Sequence, residues 1–134
     1  MRKITASNLA AVLFFLVLLG VGLAVVLGAA LFSTFSLIVA CLVKTRERFM
    51  GIGQVLTMPL FFASNAIYPI AIMPRWLQVI SLANPLTYQV DALRALMLAG
   101  GVSVFGLGTD FAVLIGVTTV LVFVGAGLYP TVVA

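Results

Sequence analysis

The chain has 134 residues, of which 64% are hydrophobic and only 7% charged, and its mean hydropathy is +1.34. A soluble domain carries about 25% charged residues, so this composition places the chain in a membrane. It has no His, which excludes His-based triads and His-rich metal clusters, and its three acidic residues, Glu47, Asp91 and Asp110, leave little room for paired catalytic carboxylates; the net charge of +4 is spread over scattered basic residues rather than a nucleic-acid surface.

The first charge-free run, Ile4–Val43, is 40 residues long. That is far beyond the apolar core of a signal peptide. It reads as a single span over about 13–43 with a looser start around Asn8–Phe15, or as a tight hairpin of two short helices turning at Gly20-Val21-Gly22. Ala24, Gly28 and Ser36 suit a face packed closely on a neighbouring helix. Ser33, Thr34 and Ser36 read as packing hydroxyls, and the lone Cys41 as a small buried hydrophobe.

Next comes Lys44-Thr45-Arg46-Glu47-Arg48. This short loop carries three basic residues, Lys44, Arg46 and Arg48, beside Glu47, and the positive-inside rule puts it in the cytoplasm. A single first span then leaves Arg2 and Lys3 outside, whereas a hairpin brings them inside.

The second charge-free run, Phe49–Pro74, predicts a span over about 50–72. Pro59 inside it removes a backbone donor and predicts a kink. Ser64 and Asn65 stand close by as polar groups for the freed backbone. The bend is either a tolerated kink or a feature beside a pathway.

Residues 68–101 hold three of the five prolines, Pro69, Pro74 and Pro85, and the only Trp, Trp76. They predict two short helices, 75–82 and 85–99. Pro74 is suited to open the first; Trp76 suits the membrane–water interface. Asn84 and Pro85 form a helix start, Asn as N-cap and Pro at the first helical position. The second helix, about 22 Å long at 1.5 Å per residue, is too short for a hydrocarbon core of about 30 Å. Asp91 and Arg94, at i and i+3, are spaced to pair. The segment is therefore an external re-entrant hairpin, either a plug for the outer end of a bundle or an exit lid. A last span follows over about 109–130. The fold class is an all-α polytopic membrane protein with about three transmembrane helices and this hairpin before the last.

Pro59-Leu60-Phe61-Phe62-Ala63-Ser64-Asn65, Tyr68-Pro69, Met73-Pro74-Arg75-Trp76-Leu77, Asn84-Pro85-Leu86-Thr87-Tyr88 and Asp91-Ala92-Leu93-Arg94 resemble, in order and spacing, the C-terminal half of ABC type-2 transporter permeases. The resemblance covers roughly residues 10 to 130. It implies the fourth to sixth spans of a six-span subunit, with Arg2 and Lys3 external and the first three spans outside this chain. It implies a permease of an ATP-driven drug, polysaccharide or lipid exporter in a bacterial inner membrane, not an enzyme itself. It also implies no cofactor on this chain, with ATP on a partner ATPase subunit and a second permease subunit completing the pathway. Pro59, Ser64, Asn65, Pro69, Pro74, Trp76, Asn84, Pro85, Asp91 and Arg94 are the expected structural and gating residues. Where the family commonly has Ser-Gly, this chain has Ser64-Asn65. A small homo-oligomeric pore and a non-transporting assembly subunit are the alternative readings.

Overall fold

A computed structural model describes residues 6–43 and 45–133. The described residues are helical throughout their regular structure, with α1 Ala6–Leu42, α2 Arg46–Phe62, α3 Arg75–Ala83, α4 Pro85–Met97 and α5 Leu107–Val133. A 3-10 turn, Ile70–Ile72, lies between α2 and α3. By length and composition, α1 and the Leu107–Pro130 part of α5 are able to cross a membrane.

The first apolar run is one unbroken helix, without a turn at Gly20-Val21-Gly22. Its 37 residues extend about 55 Å at 1.5 Å per residue, well over one hydrocarbon thickness. Apolar side chains cover its whole circumference, and Leu9, Phe14, Phe15 and Leu19 are all exposed. A helix of this kind is solvated by lipid rather than by water. Its buried positions, Ala24, Gly28, Leu31 and Ile38, recur at helical spacing and form one stripe.

That stripe is the seat of the fold, because α4 and α5 both pack on α1 and on each other. Gly20 of α1 faces Leu96, and Gly28 faces Gln89, so α4 runs antiparallel to α1. Gly125 of α5 faces Thr34 and Ile38, while Leu27 lies beside Ile115 and Thr118; α5 therefore runs parallel to α1. Asp110, Leu114 and Gly125 make the matching buried stripe on α5. Small residues on the facing surfaces let the backbones approach, which is how helices gain packing where lipid removes the hydrophobic drive. Ser36, expected on this stripe, is exposed instead and lines a cleft toward α2.

Several boundaries differ from the sequence expectation: α1 is helical already from Ala6, and α4 ends at Met97 rather than at 99. The second apolar run does not continue as helix to 72; α2 stops at Phe62, because Ala63, Ser64 and Asn65 form a buried turn. Arg46, Glu47 and Arg48 are the exposed first turn of α2 rather than loop, where Glu47 complements the positive helix end. Pro74 caps α3, whose first residue is Arg75. Lys44, Arg2 and Lys3 lie outside the described residues.

Gly28 gives the most direct test of this packing. A Cβ there meets the amide of Gln89, whose Nε2 donates to the Ala24 carbonyl at 3.4 Å. Gly28→Leu is expected to destabilise the fold by about 1–3 kcal/mol through overpacking. Combining it with Gln89→Ala should recover a substantial part of the loss, read from detergent denaturation of the single and double variants.

Candidate functional site

The C-terminal end of α2 poses a hydrogen-bonding problem. The last carbonyls of any helix have no partner within it, and near a bilayer water cannot be relied on to supply one. Here the helix stops in a buried turn. Pro59 sits in the last turn of α2, where its carbonyl accepts from Ala63 N at 2.9 Å. Asn65 then takes a left-handed backbone, φ 63°, which turns the chain out of the helix. Glycine adopts this conformation at no steric cost, and Asn is among the few other residues that visit it routinely. Asn65 is thus compatible with the conformation that this turn requires. Asn65 also gains a bond, since its Oδ1 accepts from Ile70 N at 3.1 Å. Ser64 Oγ donates back to the Phe61 carbonyl at 2.6 Å.

Two further carbonyls at this end are met from the α4 side. Asn84 Nδ2 donates to Leu60 O at 2.7 Å, and Arg94 Nη2 donates to Asn65 O at 2.7 Å. Between them, Thr87 Oγ1 lies 3.3 Å from Ala63 O and 2.7 Å from Ser81 O. A threonine has one hydroxyl proton, so the shorter Ser81 bond holds it; Ser81 Oγ, 3.3 Å from Thr87 Oγ1, then serves as donor to Thr87. Residues 84, 87 and 94 share one helical face. The result is a polar clasp, in which α4 completes the hydrogen bonding of α2.

The clasp explains why α4 is built inside out. Its polar members Thr87 and Asp91 are buried, while Leu86, Val90 and Leu93 are half-exposed and Met97 is exposed. Local chemistry positions the clasp: Asn84 Oδ1 accepts from Leu86 N at 3.0 Å as an N-cap, and Pro85 follows at the first helical position. The one amide of Asn84 therefore starts α4 and holds α2 at once. Pro69 leads into the 3-10 turn, its carbonyl accepting from Ile72 N at 3.1 Å. Pro74 is exposed and its carbonyl accepts from Leu77 N at 2.9 Å. Trp76 is 66% exposed and stands apart from the clasp.

Asp91 and Arg94 do not pair with one another. Arg94 reaches toward the end of α2, whereas Asp91 turns to the segment leading into α5. Asp91 Oδ2 accepts from Ser103 Oγ at 2.9 Å and from Phe105 N at 3.1 Å. Ser103 Oγ also lies 2.8 Å from Asp110 Oδ2. Sequence reasoning did not single out Ser103 or Asp110; the available signal was an acid at the first turn of an otherwise apolar last span. Among the described residues no group of three or more His, Cys, Asp or Glu is placed to hold a metal ion.

Away from the clasp, α2 touches α1 only slightly. An apolar cleft of about 380 Å³ opens between them, walled by Phe32, Phe35, Phe49, Leu56 and Phe61 and floored by Leu86 of α4. Ser36 and Thr57 are its hydroxyl-bearing members.

The sequence profile of the ABC-2 type transporters matches residues 4–98. The chain belongs to the ABC-2 type transporter family. The ABC-2 match takes in α1 to α4, with every residue of the clasp, and stops before Ser103 and Asp110. A protein described as a transport permease, ycf38, from Cyanophora paradoxa is 41% identical over 83 residues, which are 62% of this chain and 26% of the relative. Proteins of the same description from Porphyra purpurea and Pyropia yezoensis are 42% identical over 40 residues and 43% over 42, covering 30% and 31% of this chain and 14% of each relative. The matched region spans about a quarter or less of the length of these relatives. No solved structure matches the chain.

The divergence of Asp91 and Arg94 sets an expected outcome. Asp91→Ala and Arg94→Ala should each lower stability, by about 1–3 kcal/mol for a buried partner left unsatisfied. A double-mutant cycle should show no favourable coupling of the size expected for a direct ion pair between them. Exchanging the two charges should restore nothing; recovery on exchange would mean that they pair after all.

Proposed function

We propose that this chain is part of the membrane subunit of an ATP-driven exporter in a bacterial cytoplasmic membrane, forming the translocation pathway with a partner ATPase and a second permease subunit. The family and the transport permease relatives support the transport role. The observation that carries the mechanism is the uneven attachment of α2. Its outer end is clasped to α4, its flank faces an apolar cleft, and its other end carries the exposed turn Arg46-Glu47-Arg48.

In this reading the charged turn is cytoplasmic, as the positive-inside rule directs, and receives the thrust of the ATPase. A helix held at one end and loosely packed along its length tilts about the held end. Tilting α2 widens or closes the cleft against α1, and cargo leaves outward past the α3–α4 hairpin. ATP stays on the partner, and this chain contributes walls and leverage rather than covalent chemistry.

Arg46→Glu combined with Arg48→Glu is expected to leave membrane insertion intact and to lower ATP-dependent transport at least tenfold when the permease is assembled with its ATPase. Transport that survives this reversal would remove the turn from the coupling path. Ion conductance by the purified chain in bilayers without ATP would favour the pore reading instead.

A further inference from the structure

Asp91 and Asp110 are the only aspartates of the chain, both are fully buried, and the clasp uses neither. They meet through one hydroxyl. Ser103 Oγ lies 2.9 Å from Asp91 Oδ2, 2.8 Å from Asp110 Oδ2 and 2.7 Å from Gly106 N. A left-handed turn at Gly106, φ 91°, sets that N–H against Ser103 Oγ just ahead of α5.

A serine hydroxyl has one proton to give and two lone pairs. Gly106 N–H fills one lone pair. The hydroxyl proton serves one carboxylate and no more. The third contact, at ordinary O–H···O distance, therefore requires a proton supplied from the carboxyl side. With both aspartates ionised, a hydroxyl lone pair would face a carboxylate oxygen, and two negative charges would share a buried pocket. We propose that Asp91 and Asp110 hold one proton between them at neutral pH, making the α4–α5 junction a proton-binding site.

The donors decide where the proton rests. Asp91 Oδ2 accepts from both Ser103 and Phe105 N, the pattern of an ionised carboxylate. Asp110 Oδ2 has Ser103 Oγ alone, so Asp110 is the acid, donating to Ser103 Oγ, which in turn donates to Asp91. The outer oxygens, Asp91 Oδ1 and Asp110 Oδ1, are buried without a partner. A second negative charge on such unsolvated atoms would be strongly disfavoured.

Among the described residues no cation offsets the pair. Helix α1, packed against both α4 and α5, has no charged residue, and its titratable Cys41 lies near its far end. On α4, Arg94 is committed to Asn65 O, and Tyr88 stacks on Phe105 with its hydroxyl on Leu82 O. On α5, Asp110 is the only charged residue, and Tyr129 lies near the opposite end. The proton is drawn from and returned to water at the exposed 98–106 segment. Its loss leaves two like charges across the joint between the hairpin and the last helix.

Because the chain has no other aspartate, 13C-carboxyl aspartate reports on this pair alone. In infrared spectra of the full chain in lipid nanodiscs at neutral pH, we expect an isotope-shifted carboxylic-acid C=O band equivalent to one group per chain. It should vanish on raising the pH and be absent in Asp110→Asn, whose amide still donates to Ser103. Isotope shifts confined to carboxylate bands in the wild type would overturn the proposal, and need no variant to fold. So would two acid groups per chain, a band that persists in Asp110→Asn, or stability that depends on added sodium or calcium with no acid band.

Discussion

The carbonyls of Leu60 and Asn65 end a helix inside the protein, and the polar face of α4 is arranged to receive them. A helix end in or near a bilayer is tolerated only where protein or trapped water takes over its hydrogen bonding. Here α4 takes over, with Asn84 and Arg94 as the donors and Thr87 between them. This requirement turns the polar face of α4 inward. It also fixes the hairpin beneath the end of α2, and the stripe of small residues on α1 lets α4 approach closely enough to hold its place.

The same arrangement divides the molecule mechanically. Helices α1, α4 and α5 share buried faces, whereas α2 is joined to them mainly through its C-terminal end and borders an apolar cleft. The hairpin is thus a connection point for both of its neighbours. On one side its Asn84 and Arg94 grip α2; on the other its Asp91 meets Ser103 and, through it, Asp110 of α5. Two polar positions on a helix of 13 residues, with the asparagine that caps it, tie it to both of its neighbours.

Much of this was legible in the residues. Asn84-Pro85 marked the start of α4 because capping is local chemistry, and the unbroken apolar run of α1 became one helix in spite of its glycines. The end of α2 was not legible, because hydropathy continues past Phe62 and the break is made by a backbone turn at Asn65. The partners of Asp91 and Arg94 were missed for a related reason. Spacing rules for charged pairs describe an exposed helix surface; on a buried face, each side chain answers to whatever the neighbouring helix leaves unsatisfied. Arg94 met a carbonyl, and Asp91 met a hydroxyl and an N–H.

Helix α2 is held at its C-terminal end and loose at its N-terminal end. Spin-label distance distributions test it directly. One pair joins native Cys41 to Met50→Cys, across the α1–α2 junction; the other joins Phe62→Cys to Met97→Cys in a Cys41→Ser background, across the clasp. A narrow distribution at the clasp and a broad one at the junction are expected, with the clasp pair broadening in Asn84→Ala. Equal widths at both ends, or a clasp distribution indifferent to Asn84→Ala, would contradict the account.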